Sequence, residues 1–195
     1  AAEALRDDAS IFSCDAAKNG PARKIFSLRE PLSLVAAITP FNHPLNQVAH
    51  KLAPAIAAGV PVLLKPSSKT PLTAIRLTAL LYEAGLPPAM LSAFVGDRKT
   101  ITQTLVRDPR VDLVSFTGGT GPGKHLTTIA GYKKLCLELG GNAPLIVLRD
   151  ADLELAATLA TEGSFRNSGQ RCTAVKRILV DESVLDEFTT KFVAK

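Results

Sequence analysis

Five short and largely apolar runs constrain what this chain can fold into. They cover residues 32–39, 60–65, 91–95, 111–116 and 134–139. Each is followed by a polar turn, and helical patterning fills the gaps between them. A run that is apolar along its length, rather than at alternate positions, suits a strand buried on both faces of a parallel sheet. Helices are predicted over 44–58, 70–84 and 98–106, and from Thr120 to about Gly131. Pro44 and Pro71 fall near helix starts, and Gly59 and Gly85 fall just past helix ends, where their backbone preferences fit. The alternation predicts an α/β chain built on a doubly wound, Rossmann-like parallel sheet.

Gly140-Gly141 marks a boundary. Residues 1–139 read as a dinucleotide-binding domain with an incomplete start, and residues 140–195 as the truncated beginning of a second α/β domain. That second part holds a strand over 144–148, a helix over 151–165 capped by Asp150, a polar turn, a strand over 176–180 and a final helix. The first thirty residues read as the end of a helix, then extended segments with a turn at Asn19-Gly20-Pro21. Both chain ends fall within helical patterning, so a piece of a longer protein is expected.

The net charge of +5 comes from scattered Lys and Arg. It offers no basic block for nucleic acid. No apolar run approaches the length of a membrane span, and the acidic N-terminus lacks the apolar segment of a secretory signal. Three cysteines without paired spacing argue against a disulfide framework or a zinc site and suit a reducing compartment, so a cytoplasmic location is expected. Cys14 has no partner chemistry in view. Cys136, inside the run over 134–139, reads as a small core residue. Cys172 stands apart: it lies in Gly169-Gln170-Arg171-Cys172-Thr173, where a neighbouring cation favours a thiolate. It is the expected nucleophile.

Ligands of parallel α/β sheets bind outside the carboxyl ends of the strands. Four polar features fall there. Thr39-Pro40-Phe41-Asn42-His43 follows the first run, and Asn42 suits either an oxyanion donor or a helix N-cap. Lys65-Pro66-Ser67-Ser68 follows the second, and its ammonium suits ribose, phosphate or simple snorkelling to solvent. Thr117-Gly118-Gly119-Thr120 follows the fourth and suits a phosphate cradle or a tight turn. Its glycines do not have the G-x-G-x-x-G spacing. Glu138-Leu139-Gly140-Gly141 follows the fifth, and Glu138 is a general base or a paired structural acid.

Taken together, Pro40-Phe41-Asn42, Lys65-Pro66-Ser67-Ser68, Phe116-Thr117-Gly118-Gly119, Leu137-Glu138-Leu139-Gly140-Gly141 and Asn167-Ser168-Gly169-Gln170-Arg171-Cys172 resemble the aldehyde dehydrogenase superfamily. The resemblance runs in order through nearly the whole chain. It implies that Cys172 attacks an aldehyde carbon, that the Asn42 amide and the Cys172 N–H hold the oxyanion, and that Glu138 activates water to release a thioester. It also implies cofactor contacts from Thr39, Pro40, Phe41, Lys65, Ser67, Ser68, Gly96, Thr117, Gly118, Gly119, Gly123 and Leu139. NAD is the expected cofactor. NADP is compatible, because Ser68 stands where NAD-preferring members often carry Glu.

His43 and Arg171 depart from the commonest family pattern and point to a substrate with a charged tail. An Arg fork suits phosphate or phosphonate, unless Arg171 pairs structurally and only lowers the thiol pKa. Ser168-Gly169-Gln170-Arg171-Cys172-Thr173-Ala174-Val175-Lys176-Arg177 resembles the nonphosphorylating glyceraldehyde-3-phosphate and the phosphonoacetaldehyde dehydrogenases, and Phe41-Asn42-His43-Pro44 resembles the latter. The expectation is oxidation of phosphonoacetaldehyde to phosphonoacetate. Glyceraldehyde-3-phosphate and succinate semialdehyde are the alternative substrates, and a cofactor-binding module or inert fragment is the alternative of another class. The resemblance implies a homodimer or homotetramer for the whole protein, and no metal.

Overall fold

A computed structural model describes residues 9–13 and 24–195. The position of Cys14, the expected helix end in the first residues and the turn at Asn19-Gly20-Pro21 lie outside the described residues. Strands β1 (Ala9–Ser13) and β2 (Lys24–Leu28) pair antiparallel. The central sheet is built from β3 (Val35–Ile38), β4 (Val62–Lys65), β5 (Leu91–Ala93), β6 (Leu113–Thr117) and β7 (Lys134–Glu138), in spatial order β5-β4-β3-β6-β7. The pairs β3–β4, β3–β6 and β4–β5 are parallel. Helices α1 (Asn46–Ala57), α2 (Pro71–Glu83), α3 (Arg98–Arg107) and α4 (Thr120–Ile129) alternate with these strands. The chain therefore winds outward from β3 in one direction and crosses to β6 for the other. The doubly wound expectation holds, and the β3–β6 seam is the switch point where such sheets bind ligands.

The apolar runs become strands because their side chains fill both sides of the sheet. Val35, Ala37, Val62, Leu64 and Leu91 pack with Val48, Leu52 and Ala55 of α1 and with Ala74 of α2. Gly59 and Gly85 end α1 and α2 at φ of +70° and +94°. In each case the following residue donates back into the helix, Val60 to the Ala55 carbonyl and Leu86 to the Leu81 carbonyl, both at 2.9 Å. This left-handed stop is where glycine avoids a Cβ penalty.

A second set of elements holds β8 (Ala143–Val147), α5 (Leu153–Phe165), β9 (Val175–Val180) and α6 (Leu185–Val193). β8 and β9 pair in parallel. Val147, Ala157, Ala160 and Phe188 form its core, with Leu145, Ile178 and Phe192 packed against them. The chain divides into two compact units. One contains the residues up to Thr117 with Gly123–Leu137, and the other Gly118–Pro122 with Glu138–Lys195. Among the described residues no helix is long and apolar enough to cross a membrane.

Two local expectations are corrected. Cys136 is exposed rather than in the core, because β7 is an edge strand whose exposure alternates and Cys136 falls on its open face. Asp152, not Asp150, caps α5: its carboxylate accepts from the Glu154 and Leu155 N–H groups, each at 3.0 Å. The helix begins two residues later than expected because that position aims a carboxylate at the free amides of the first turn.

Candidate active site

In the first unit the sheet edge gathers the residues that follow β3, β4 and β6. Ile38 lies opposite Phe116 in the register, and Thr39 and Thr117 are the residues that follow them at the switch point. Both hydroxyl oxygens are buried and have no hydrogen-bond partner among the described residues. An unpaired buried hydroxyl costs about 1–3 kcal/mol, so two of them at the ends of neighbouring strands suit a polar ligand.

The residues around this seam are tied together. The Thr39 N–H donates to the Lys65 carbonyl at 3.2 Å, and the Thr70 hydroxyl to the Phe41 carbonyl at 3.4 Å. The Lys69 ammonium lies 4.8 Å from the centre of the Phe41 ring, within cation–π range. Pro40, Asn42 and His43 are half-buried. Asn42 is not the N-cap of α1, because that helix starts at Asn46 with Leu45 in the cap position. Ser67 is half-buried, and Ser68 and Gly96 are exposed, all in turns at the same edge.

Lys65 is only 3% exposed. Its burial, and secondarily the Arg98 charge, hold its pKa below the ordinary lysine value, with Asp97 acting in the opposite direction. A buried cation at a strand end favours an anionic or hydroxyl-bearing ligand. The edge as a whole therefore suits a dinucleotide: two orphaned hydroxyls at the switch point, and a desolvated ammonium one strand away. Gly123 lies buried within α4 rather than in the glycine turn itself.

In the second unit the Gly118 N–H donates to the Glu138 carbonyl at 3.0 Å, tying the glycine turn to the end of β7. Gly119 is exposed and Leu139 half-buried in these adjoining segments. Gly140 and Gly141 are required for close approach. A Cβ on Gly140 would meet the Thr120 hydroxyl at 2.9 Å, and one on Gly141 would meet the Cys172 carbonyl oxygen at 1.9 Å. The Glu138-Leu139-Gly140-Gly141 segment thus runs against the backbone of Cys172.

Cys172 is exposed and follows an unusual turn. Asn167, Ser168 and Gly169 adopt φ of 56°, 54° and 66° in succession. The Gln170 N–H closes this left-handed turn on the Asn167 carbonyl at 3.0 Å. Left-handed non-glycine residues cost of order 1–3 kcal/mol and persist where the surroundings impose them. Here the Lys176 ammonium donates to the Gly169 carbonyl at 2.8 Å. The Arg171 guanidinium donates through Nη2 to the Gly163 and Glu162 carbonyls at 2.9 and 3.3 Å. It thereby caps the carboxyl end of α5, while its Nε is buried without a partner among the described residues. The Arg177 guanidinium fixes the neighbouring loop by donating to the Asn142 carbonyl at 3.1 and 3.3 Å.

From the sequence, Lys176 and Arg177 figure only as part of a family motif, because a Lys-Arg pair opening a strand carries no local mark of the distant carbonyls it bonds. Lys51 gave a clearer signal, a lone cation on the Val48–Leu52–Ala55 face of α1. It is buried and donates to the Ser115 hydroxyl at 2.9 Å. Among the described residues no cluster could hold a metal ion.

A sheet wound both ways from β3, a polar switch point and a thiol on a braced left-handed turn define a dinucleotide-dependent type of α/β protein. The aldehyde dehydrogenase family model matches residues 1–195, and the chain belongs to that family. It is 42% identical over 195 residues to the 3-sulfolactaldehyde dehydrogenase of Priestia aryabhattai, covering 100% of this chain and 41% of that protein. It is 42% identical over 193 residues to aspartate-semialdehyde dehydrogenase 1 of Pseudomonas canavaninivorans, covering 99% of this chain and 41% of that protein. It superimposes with a TM-score of 0.91, at 40% identity, on the NADP-dependent glyceraldehyde-3-phosphate dehydrogenase of Bacillus halodurans C-125 complexed with NADP, covering 98% of this chain and 40% of that one. The chain thus spans about two fifths of the length of the relatives it matches.

Proposed function

We propose that this chain carries the cofactor region and the nucleophile of an NAD(P)-dependent aldehyde dehydrogenase acting on a small anionic aldehyde, with phosphonoacetaldehyde as the preferred substrate and phosphonoacetate as product. Residues 1–139 form the dinucleotide-binding domain and 140–195 begin the catalytic domain. The observation that carries the cofactor reading is the pair of buried, unpartnered hydroxyls of Thr39 and Thr117 at the switch point, with Lys65 at the same edge. Thr39, Pro40, Phe41, Lys65, Ser67, Ser68, Gly96, Thr117, Gly118, Gly119, Gly123 and Leu139 serve the cofactor. NAD(P)+, when bound, supplies the two-electron acceptor.

The chain's own residues do the rest. Cys172 as thiolate adds to the aldehyde carbon, forming a carbon–sulfur bond and an oxyanion. The Cys172 N–H and the Asn42 amide, the latter by its place in the family pattern, stabilise that charge. Removing one such donor typically costs about 2.7–4 kcal/mol. Oxidation leaves a thioester on Cys172. Glu138 takes a proton from water, which attacks the thioester and releases the carboxylic acid and the thiolate. Glu138→Gln is expected to keep a burst of NAD(P)H and then stall. Equal slowing of burst and steady state would remove Glu138 from the base role.

For the substrate, His43 and Arg171 supply the cationic or donating groups. Sulfolactaldehyde, aspartate semialdehyde and glyceraldehyde-3-phosphate, in the names of three relatives, support an anionic class. The bonds of Arg171 Nη2 to the α5 carbonyls support a second reading, in which Arg171 holds the cysteine turn and the substrate is another semialdehyde, such as succinate semialdehyde. Comparing phosphonoacetaldehyde with succinate semialdehyde in wild type and Arg171→Leu separates the two. Loss of the phosphonate preference is the expected result, and its survival overturns the Arg171 assignment. For the whole protein we infer a cytoplasmic homodimer or homotetramer.

A further inference from the structure

Cys172 sits between a firmly anchored segment and a strained one. After it, the Ala174 N–H closes a turn on the Arg171 carbonyl at 3.2 Å. Ala174 is fully buried, and Val175 lies so close to α5 that a Cβ on Gly163 would meet its Cγ2 at 2.8 Å. Before it stands the left-handed run, with Asn167 at φ 56° and ψ 37° and Ser168 at φ 54° and ψ 32°. Each non-glycine residue in that region is disfavoured against its right-handed form by about tenfold. The run therefore needs an external hold.

A break in strand register supplies one. Ala143 of β8 pairs with Val175 of β9, but the next residue, Pro144, pairs with Arg177, so Lys176 is skipped in the pairing. Such a bulge redirects the side chain of the extra residue, and bulges recur beside active sites. Here the ammonium donates to the carbonyl of Gly169, the last residue of the left-handed run, at 2.8 Å. The bond spans a separation of seven residues and closes a loop around Cys172. Pairing resumes at Arg177, whose guanidinium holds the Asn142 carbonyl. Asn142 adjoins Gly141, whose Cα lies against the Cys172 carbonyl. Neighbouring residues at one bulge thus hold the segment that leads into Cys172 and the one that follows Glu138.

We propose that Lys176 is a positioning residue: set out of register by the bulge, it keeps the 167–169 run left-handed and so fixes Cys172 for addition to the aldehyde. Its bearing on the reaction rests on the function proposed above. A hydrogen bond from a charged donor is worth about tenfold or more in an equilibrium, the size of the preference it opposes at one residue. Lys176 is exposed and stands outside the core formed by Val147, Ala157, Ala160 and Phe188, so its removal leaves that packing in place.

The test compares wild type with Lys176→Met, which keeps the apolar stem, and Lys176→Arg, which keeps the charge. Amide hydrogen exchange in the 195-residue chain reads the hold. In Lys176→Met the Gln170 N–H, which closes the left-handed turn on the Asn167 carbonyl, should exchange about tenfold faster. The Ala156 N–H, bonded to the Asp152 carbonyl at the start of α5, should keep its wild-type rate. The pre-steady-state burst of NAD(P)H reads the consequence: it should slow by about tenfold with KM for NAD(P)+ unchanged. Lys176→Arg should restore both. Unchanged exchange at Gln170, or faster exchange with an unchanged burst, overturns the inference. Faster exchange at Ala156 as well as at Gln170 also overturns it, because Lys176 then serves general stability rather than the cysteine turn. A wild type that makes no NAD(P)H from phosphonoacetaldehyde or succinate semialdehyde overturns the proposed function, and the exchange comparison then decides the hold by itself.

Discussion

One added methyl group tests how rigidly the proposed nucleophile, Cys172, is held. In Gly141→Ala the new Cβ would sit 1.9 Å from the Cys172 carbonyl oxygen and 3.0 Å from its carbonyl carbon. Ordinary carbon–oxygen contact begins at about 3.3 Å, so one of the two backbones must retreat by roughly 1 Å or more. Neither is free to do so. The loop before β8 is held through the Asn142 carbonyl by Arg177, and the cysteine turn through the Gly169 carbonyl by Lys176. Overpacking of this kind costs about 1–3 kcal/mol, or about 2–4 °C in Tm per kcal/mol at this chain length. A displacement of about 1 Å at a reacting group costs roughly 100-fold in rate, equivalent to about 2.7 kcal/mol of barrier. The assay is thermal unfolding together with the pre-steady-state burst of NAD(P)H from the enzyme. A lowered Tm and a burst slowed by about two orders of magnitude are expected. A folded variant whose burst stays within threefold of wild type would refute the claim that this contact fixes the position of Cys172.

Further substitutions separate other contributions. Asp152→Ala removes the carboxylate that accepts from two amides of α5 and should lower stability by about 1 kcal/mol in denaturant titration. Gly85→Ala meets no atom within 4 Å but keeps φ at +94°, so it should cost about 1–2 kcal/mol from backbone strain alone. Gly121→Ala, with open space and no positive φ, should stabilise α4 by about 0.4–1 kcal/mol. Lys195 foremost, and then Lys191, hold the Glu154 carboxyl below its ordinary value of 4.5. That contribution is therefore fully present above the unfolded-state pKa and is lost as pH falls through the lower folded-state value. Thermal unfolding followed from pH 6 downward should show a decline that Glu154→Gln reduces, and an unchanged slope would dismiss the pair as a stabilising contact.

Much of the architecture was legible because it depends on local rules. The apolar runs over 32–39, 60–65 and 111–116 read as interior strands, and glycine placement at 59 and 85 marked helix ends that the left-handed backbone confirms. The reading failed where the deciding partner lies far along the chain. Cys136 sits in an apolar run, yet the run is an edge strand, so alternation rather than hydrophobicity sets its exposure. Asp150 and Asp152 are equivalent as letters, and only the direction in which the chain leaves β8 selects the one that faces the helix amides.

The sequence by itself determined the order of strands and helices and the family, and it singled out candidate residues for the chemistry: Cys172, Glu138, Asn42 and Lys65 each stand at the close of an apolar run or in a marked turn. Tertiary structure decided how those residues are held. It set Ile38 opposite Phe116 in the β3–β6 register, brought Gly141 onto the Cys172 backbone, and turned Arg171 onto the α5 carbonyls. It also directed Lys176 and Arg177 to the Gly169 and Asn142 carbonyls, near Cys172. The physical reason is one of range. Hydrophobic period and backbone preference act over a few residues and are written in the chain, whereas a hydrogen bond or a close approach between distant segments exists only once folding has brought them together.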